Sequence, residues 1–463
     1  MFGETMKTSV LRTLSVTQRL TISFAVVILV GSILLALPIS HYPHAPAASY
    51  IDHLFTTVSM VCVTGLSVIP VADLYNGFGQ VVAMFLMQIG GLGLVTLIAI
   101  STFALRRKMD LAGHNLLQSA LSRRDSKNLK GYLYFAYRMT FIFEFLAFLI
   151  IATDFVPRFG WKHGLFNALF LAISAFCNAG FDNFSTNSLT AFVLNPTINF
   201  TLAFLIIAGG LGFAVWIDLL SNVQRYTIEK PRFTGRFYRK LSNESHLVIQ
   251  TTLFLLAAGT LLTWFLEHNN VKTIGHFTLP QQLMVSFFQS VTMRTAGFAT
   301  ISYTDALSPT NLVYMIQMLI GGAPGGTAGG VKVTTAAIAF LLFKAEVSGQ
   351  SEVTFEHRII KSKTIKQTMT VLIFYFSFLI LGYLILLTVE PGLEPIPLLF
   401  ESISAIATVG VSMEVTPFLS IIGKIIIMIF MFVGRVGPIT VLISLMQRKE
   451  KTVHYASTDI LVG

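Results

Sequence analysis

Charge is scarce in this sequence: 12% of its 463 residues are Asp, Glu, Lys or Arg, against about 25% in soluble domains. A soluble fold of this length needs far more polar surface to cover itself, so that class is excluded. Cysteine is nearly absent. Cys62 and Cys177 both lie in apolar runs, which leaves no disulfide framework and no thiolate metal site and makes them small buried hydrophobes. Enzyme signatures are missing as well: there is no HExxH, no glycine-rich loop after a strand, and no Ser–His–Asp or Cys–His grouping among the scattered His residues. A cleaved leader is not expected either. The first apolar run exceeds the roughly 7–15 residues of a secretory signal, and Pro38 and Pro43 separate it from Ala45-Pro46-Ala47.

What is abundant is apolar sequence: 54% of residues are hydrophobic and the mean hydropathy is +0.72. A spanning helix takes about 20 mostly apolar residues. Eight stretches qualify, at 20–38, 79–105, 135–155, 197–221, 246–266, 310–343, 367–389 and 418–446. The net charge of +10 is distributed unevenly. Of the 32 Lys and Arg, 25 fall at the two termini and in 106–138, 225–240 and 344–366. That asymmetry follows the positive-inside rule and predicts cytoplasmic termini in a multi-pass protein of the cell (inner or plasma) membrane. Membrane lipids with anionic headgroups are the partner this charge suits, and nucleic acid is not.

Between the odd and even runs lie four shorter apolar segments, each ending at glycine. They read FTTVSMVCVTG to Gly65, FLAISAFCNAG to Gly180, FFQSVTMRTAG to Gly297 and FESISAIATVG to Gly410, at intervals of 115, 117 and 113 residues. Phe55, Phe170, Phe287 and Phe400 stand ten residues before each glycine, and Ser59, Ser174, Val291 and Ser404 six before. A second landmark follows 24 to 29 residues later: GGLG at 90–93, GGLG at 209–212, GGAP at 321–324 and GRVG at 434–437. Such a period marks internal repetition. The predicted fold is an all-α integral membrane protein of four pseudo-repeated membrane–pore helix–membrane units, eight spans around a central ion pore. The units are 1–105 with pore segment 52–68, 106–222 with 165–184, 223–343 with 280–300, and 344–463 with 396–414 and a C-terminal tail.

Non-helical backbone is tolerated at membrane depth only where it lines a cavity or is buried in protein. Four extended segments around one axis place four glycine carbonyls in a ring, and carbonyl rings replace the hydration shell of potassium. The predicted filter comprises Val63, Thr64, Gly65, Asn178, Ala179, Gly180, Thr295, Ala296, Gly297, Thr408, Val409 and Gly410, with K+ held at the four glycines. Potassium is the cargo, and no covalent cofactor is expected. Asp182 and Glu414 either face the outer mouth and concentrate cations or are ordinary solvated loop acids.

These residues resemble the Ktr/Trk/HKT superfamily of potassium transporters, above all its KtrB-type membrane subunit. The resemblance runs through RTAGF at 294–298, GGAPGGTAGGVK at 321–332, FVGRVGP at 432–438 and the terminal ILVG. It implies potassium rather than sodium, because sodium-selective plant relatives carry serine where Gly65 stands. It also implies a homodimer, a separate cytoplasmic ring of nucleotide-binding RCK domains, and stimulation by sodium. The loop of Gly321, Gly322, Ala323, Pro324, Gly325, Gly326, Thr327, Ala328, Gly329 and Gly330 breaks an apolar run, and the resemblance implies a gate there. It is no phosphate loop, since Lys332 comes one residue late.

Arg435 holds the repeat position of Gly91, Gly210 and Gly322. A charge in mid-span costs about 2.5–3.5 kcal/mol on insertion scales, so Arg435 is expected to face the pore, resist cations and donate to carbonyls of the 321–330 loop. Arg294 is expected to brace its pore segment by pairing with Glu401 on the next pore helix. Glu144, alone in its span, is either a buried hydrogen-bonded residue or lipid-facing.

Overall fold

The computed structural model describes residues 16–93, 129–229 and 240–437. The linker 106–128, the distal ends of the second and last apolar runs, and the ILVG tail lie outside the described residues. Apart from a few short helical turns, the described residues form fourteen helices and one small hairpin.

The first repeat holds α1 (Val16–Ala36), α2 (Tyr50–Val61) and α3 (Gly77–Leu92). The second holds α4 (Leu129–Phe159), α5 (Trp161–Phe176), α6 (Pro196–Gly210) and α7 (Phe213–Glu229). The third holds α8 (Asn243–Glu267), α9 (Leu279–Thr292), α10 (Ser308–Leu319) and α11 (Val333–Val347). The fourth holds the hairpin β1 (Thr354–Phe355) and β2 (Arg358–Ile359), then α12 (Ser362–Val389), α13 (Pro395–Ala407) and α14 (Ile421–Val436).

Local chemistry sets where these helices start. Asn76, Asn195 and Ser420 cap α3, α6 and α14 by accepting from the first free backbone amides. In the third repeat Leu307 has no capping group, and Glu267 at the end of α8 accepts from its backbone N–H instead, at 2.9 Å. The short helices α2 and α9 open with capping boxes, Ser49 with Asp52 and Thr278 with Gln281.

The apolar run 197–221 is not one rod. The chain turns by 99° between α6 and the helix beginning at Phe213. Gly212 takes φ +82° at the turn, a conformation that glycine adopts without steric cost. Beyond it α7 brings in Asp218, Ser221 and Asn222, so apolar length had hidden a break. The run 310–343 is likewise two helices, α10 and α11, separated by the glycine-rich loop. By length and composition the segment Gly131–Phe176, α8 and α12 can each cross a membrane, and the α6–α7 pair adds a fourth.

Large apolar side chains cover the outside of α1, α4 and α12, where Val26, Leu29, Ile33, Phe141, Phe145, Ile373, Ile380 and Leu384 are all exposed. A continuous apolar exterior of this kind marks a lipid-facing surface. The inside is organised as a closed cycle. The short helix of each repeat packs on the helix that follows the glycine segment in the preceding repeat: α5 on α3, α9 on α6, α13 on α10, and α2 on α14. The last contact joins the first repeat to the fourth.

Candidate ion pathway

The four short helices end where the glycine segments begin, and the backbone there is unusual. Eight described non-glycine residues have positive φ, and four of them are Val63 (50°), Asn178 (57°), Thr295 (64°) and Thr408 (53°), each two residues before its glycine. Gly65, Gly180, Gly297 and Gly410 follow with φ of 104°, 74°, 85° and 95°. For a β-branched residue such as Val63 this is a costly conformation, of the order of 1–3 kcal/mol. Four repetitions at matched positions make it a constructed feature. In an ordinary strand successive carbonyls alternate sides; reversing φ at every second residue turns them toward one side.

The glycines then meet head to tail. A Cβ on Gly65 would lie 3.0 Å from the Ala179 carbonyl oxygen, and one on Gly180 2.7 Å from that of Ala296. One on Gly297 would lie 2.5 Å from the Val409 oxygen, and one on Gly410 1.8 Å from the Thr64 oxygen. Each segment therefore abuts the next in cyclic order, and the ring closes from the fourth repeat to the first. Thr64, Asn178, Thr295 and Thr408 are fully buried, and their side-chain polar atoms have no protein partner.

The serines six residues before three of the glycines hold these segments. Ser59 Oγ accepts from Gly65 N at 3.1 Å and Ser404 Oγ from Gly410 N at 3.0 Å. Ser174 Oγ accepts one residue later, from Phe181 N at 2.9 Å. The third repeat has Val291 there, and its strand is tied instead by Thr292 Oγ1 donating to Phe298 O at 2.7 Å. The aligned serines were visible in the sequence without a role. The replacement of one by valine was the signal that the third segment is held differently.

Above the ring opens a cavity of about 520 Å³, bounded by the four glycines together with Asp182 and Glu414. Asp182 also accepts from the backbone N–H of Ser185 and Phe184, at 2.9 and 3.3 Å, which shapes its loop.

Below the ring the second glycine landmarks converge. A Cβ on Gly90 would fall 2.3 Å from Val61 O, on Gly209 2.2 Å from Phe176 O, and on Gly434 2.0 Å from Ile406 O. In each case the contacted carbonyl lies four residues before the ring glycine, so these glycines let the helix backbones approach. The third repeat departs again: Gly321 lies against Gly329. Here the 321–330 loop docks on the α6–α7 break. Ala323 N donates to Gly210 O at 2.8 Å, Thr327 N to Gly209 O at 3.0 Å, and Phe213 N to Gly325 O at 3.3 Å. Lys332 Nζ donates to Ala328 O at 2.8 Å within the loop.

Arg435 locks this arrangement. Its guanidinium donates to Thr327 O in the loop and to Gly90 O and Gly91 O, the last at 3.0 Å. It thus binds the fourth repeat to the first and third at one level. The expected Arg294–Glu401 pair does not form. Arg294 Nη2 reaches back to Thr252 Oγ1 on α8 at 3.3 Å, while Glu401 accepts from Thr416 in the loop after its own repeat's glycine. The two side chains leave their backbones toward different neighbours. Glu144 is buried, and Cys62 and Cys177 are free, buried thiols.

A helical membrane protein whose four glycine segments close head to tail is the class this geometry defines. The chain belongs to the TrkH family of cation transport proteins, whose model matches residues 6–455, and it is accordingly a cation transporter and not an enzyme. It is 35% identical over 446 residues to the Ktr system potassium uptake protein B of Bacillus subtilis, covering 96% of each chain. To the potassium/sodium uptake protein NtpJ of Enterococcus hirae it is 34% identical over 468 residues, covering 99% of each. In fold it matches the crystal structure of the potassium transporter TrkH from Vibrio parahaemolyticus, with TM-score 0.69 and 16% identity over 92% of this chain and 84% of that one.

Proposed function

We propose that the chain is the ion-translocating membrane subunit of a potassium uptake system. Potassium passes through a filter formed by the four glycine segments and is gated below by the 321–330 loop and Arg435. The observation that carries this is the ring itself: paired positive φ values in four segments, closed head to tail. Such a ring offers layers of carbonyl oxygens at fixed spacing, which substitute for water around a potassium ion. The name of the Bacillus subtilis relative, a potassium uptake protein, supports the choice of ion.

The architecture that goes with this function is four units of two spans each, eight in all, with both termini on the cytoplasmic side. The broken runs α6–α7 and α10–α11 count as single spans opened at the gate. The assembly is a homodimer whose basic cytoplasmic face docks a ring of nucleotide-binding RCK domains. A second function is favoured by the Enterococcus hirae relative, named for both potassium and sodium: a pathway of the same fold that admits sodium as well.

Uptake of potassium, rubidium and sodium by proteoliposomes, for wild type and Gly65→Ser, separates the two. Potassium-selective uptake that relaxes toward sodium in the variant supports the filter. Equal sodium and potassium uptake in both forms removes it.

A further inference from the structure

Glu144 lies midway along α4, between the exposed Phe141, Phe145 and Leu149, yet is itself only 5% exposed. It points inward, behind the ring segment of its own repeat. The side chain opposite it is Gln88 of α3. Glu144 Oε1 and Gln88 Nε2 are both buried, and neither forms a hydrogen bond of normal length. A buried polar atom left alone costs about 1–3 kcal/mol, and these two groups answer each other's need.

The consequence lies on the other side of Gln88. Its Oε1 accepts from Cys177 Sγ at 3.6 Å. A glutamine amide has one donor end and one acceptor end. With its NH2 turned to Glu144, its oxygen is turned to Cys177. Cys177 is the last residue of helical geometry before Asn178, where the strained backbone of the second segment begins. Gly91, one turn along α3 from Gln88, lies against Cys177, with room for a Cβ only at 2.6 Å from its Sγ. The Gly91 carbonyl in turn accepts from Arg435.

We propose that Glu144 is a positioning residue for ion selection: by orienting the Gln88 amide it fixes Cys177 and the segment Asn178–Gly180. This rests on the glycine ring being the selectivity filter. The inference concerns the supporting groups of one repeat: the residue three before the ring glycine, Cys177 here, is Cys62 in the first repeat, Arg294 in the third and Ala407 in the fourth.

The test is the ratio of potassium to sodium uptake in proteoliposomes for Glu144→Leu, Gln88→Leu, the double variant, Glu144→Gln and, in parallel, Gly65→Ser. Glu144→Leu and Gln88→Leu should each lower the ratio about fivefold, the equivalent of one hydrogen bond. The double variant should be no worse than either single one, because both break the same chain of contacts. Glu144→Gln keeps an acceptor toward Gln88 and should stay near wild type.

An unchanged ratio in both Leu variants overturns the proposal, as do losses that multiply in the double variant. A Glu144→Gln as impaired as Glu144→Leu also overturns it, since charge and not amide orientation would then matter. If Glu144→Leu does not yield monodisperse protein, Gln88→Leu and Cys177→Ala decide by the same ratio. Should Gly65→Ser leave selectivity intact, the filter assignment itself fails. Should it relax selectivity while the Leu variants do not, only the role of Glu144 fails.

Discussion

A Cβ on Gly410 would lie 1.8 Å from the Thr64 oxygen and 2.7 Å from Gly65 Cα, whereas on Gly65 the nearest atoms are at 3.0, 3.2 and 3.3 Å. The contacts are all backbone, so nothing rotates out of the way. Positive φ adds about 1–2 kcal/mol for any side chain. Gly410→Ala is therefore expected to destroy the ring and abolish uptake, while Gly65→Ser distorts it and still conducts, with weaker preference for potassium. Uptake assays on detergent-monodisperse protein check the order; a conducting Gly410→Ala with inactive Gly65→Ser would reverse it. Arg435 acts at the opposite end of the path. Its three carbonyl contacts tie Thr327 of the loop to Gly90 and Gly91 of α3, and in the proposed gate its charge resists cations. Arg435→Ala should raise the potassium uptake rate per folded protein, and an equal or lower rate would count against a gating role.

At the scale of elements, what separates a readable feature from an unreadable one is whether its cause lies within the segment. The four glycine segments were legible because positive φ and close backbone contact demand glycine each time, at a period of 113 to 117 residues. The loop at 321–330 was legible because proline and clustered glycine cannot continue a helix. The turn at Gly212 was not: GGLG at 209–212 duplicates GGLG at 90–93, and apolar composition continues through it. Its 99° bend depends on the third repeat's loop supplying donors to the carbonyls of Gly209 and Gly210. The partner of Arg294 was hidden for the same reason, since only packing brings Thr252 within reach. The glycines at helix contacts yield a graded prediction. Gly209→Val places atoms against Phe176 O and Thr327 Oγ1, an overpacking of about 1–3 kcal/mol. Gly77→Ala meets nothing within 4 Å at the first turn of α3 and should stabilise by about 0.4–1 kcal/mol. Thermal melts in detergent should move in opposite directions for the two.

At the scale of the whole molecule, a cyclic arrangement drawn from one linear chain has three joints that connect consecutive repeats and one that must be closed by contacts alone. The closing joint lies between α2 and α14. It has the tightest of the ring contacts, Gly410 on Thr64, and it also has an ion pair, Lys424 Nζ to Asp52 Oδ1 at 2.7 Å, with both side chains 12% exposed. Asp52 is at the same time the capping-box acid of α2, accepting from Ser49 N at 2.9 Å. The pair thus fixes the start of the first pore helix to the helix of the last repeat. A hydrogen bond to a charged group contributes about 1.5–3 kcal/mol when shielded from water, and removing one partner leaves the other charge poorly satisfied. Lys424→Met should lower the melting temperature and, by loosening the closing joint, reduce potassium preference as well. Asp52→Asn in the same chain removes the stranded charge while leaving a capping side chain, so the double variant should recover part of the lost stability. A double-mutant cycle giving a coupling of at least about 1 kcal/mol is the expected result. Coupling near zero, with selectivity unchanged in Lys424→Met, would mean that the ring closes through backbone packing at Gly65 and Gly410 and that the ion pair is incidental to it.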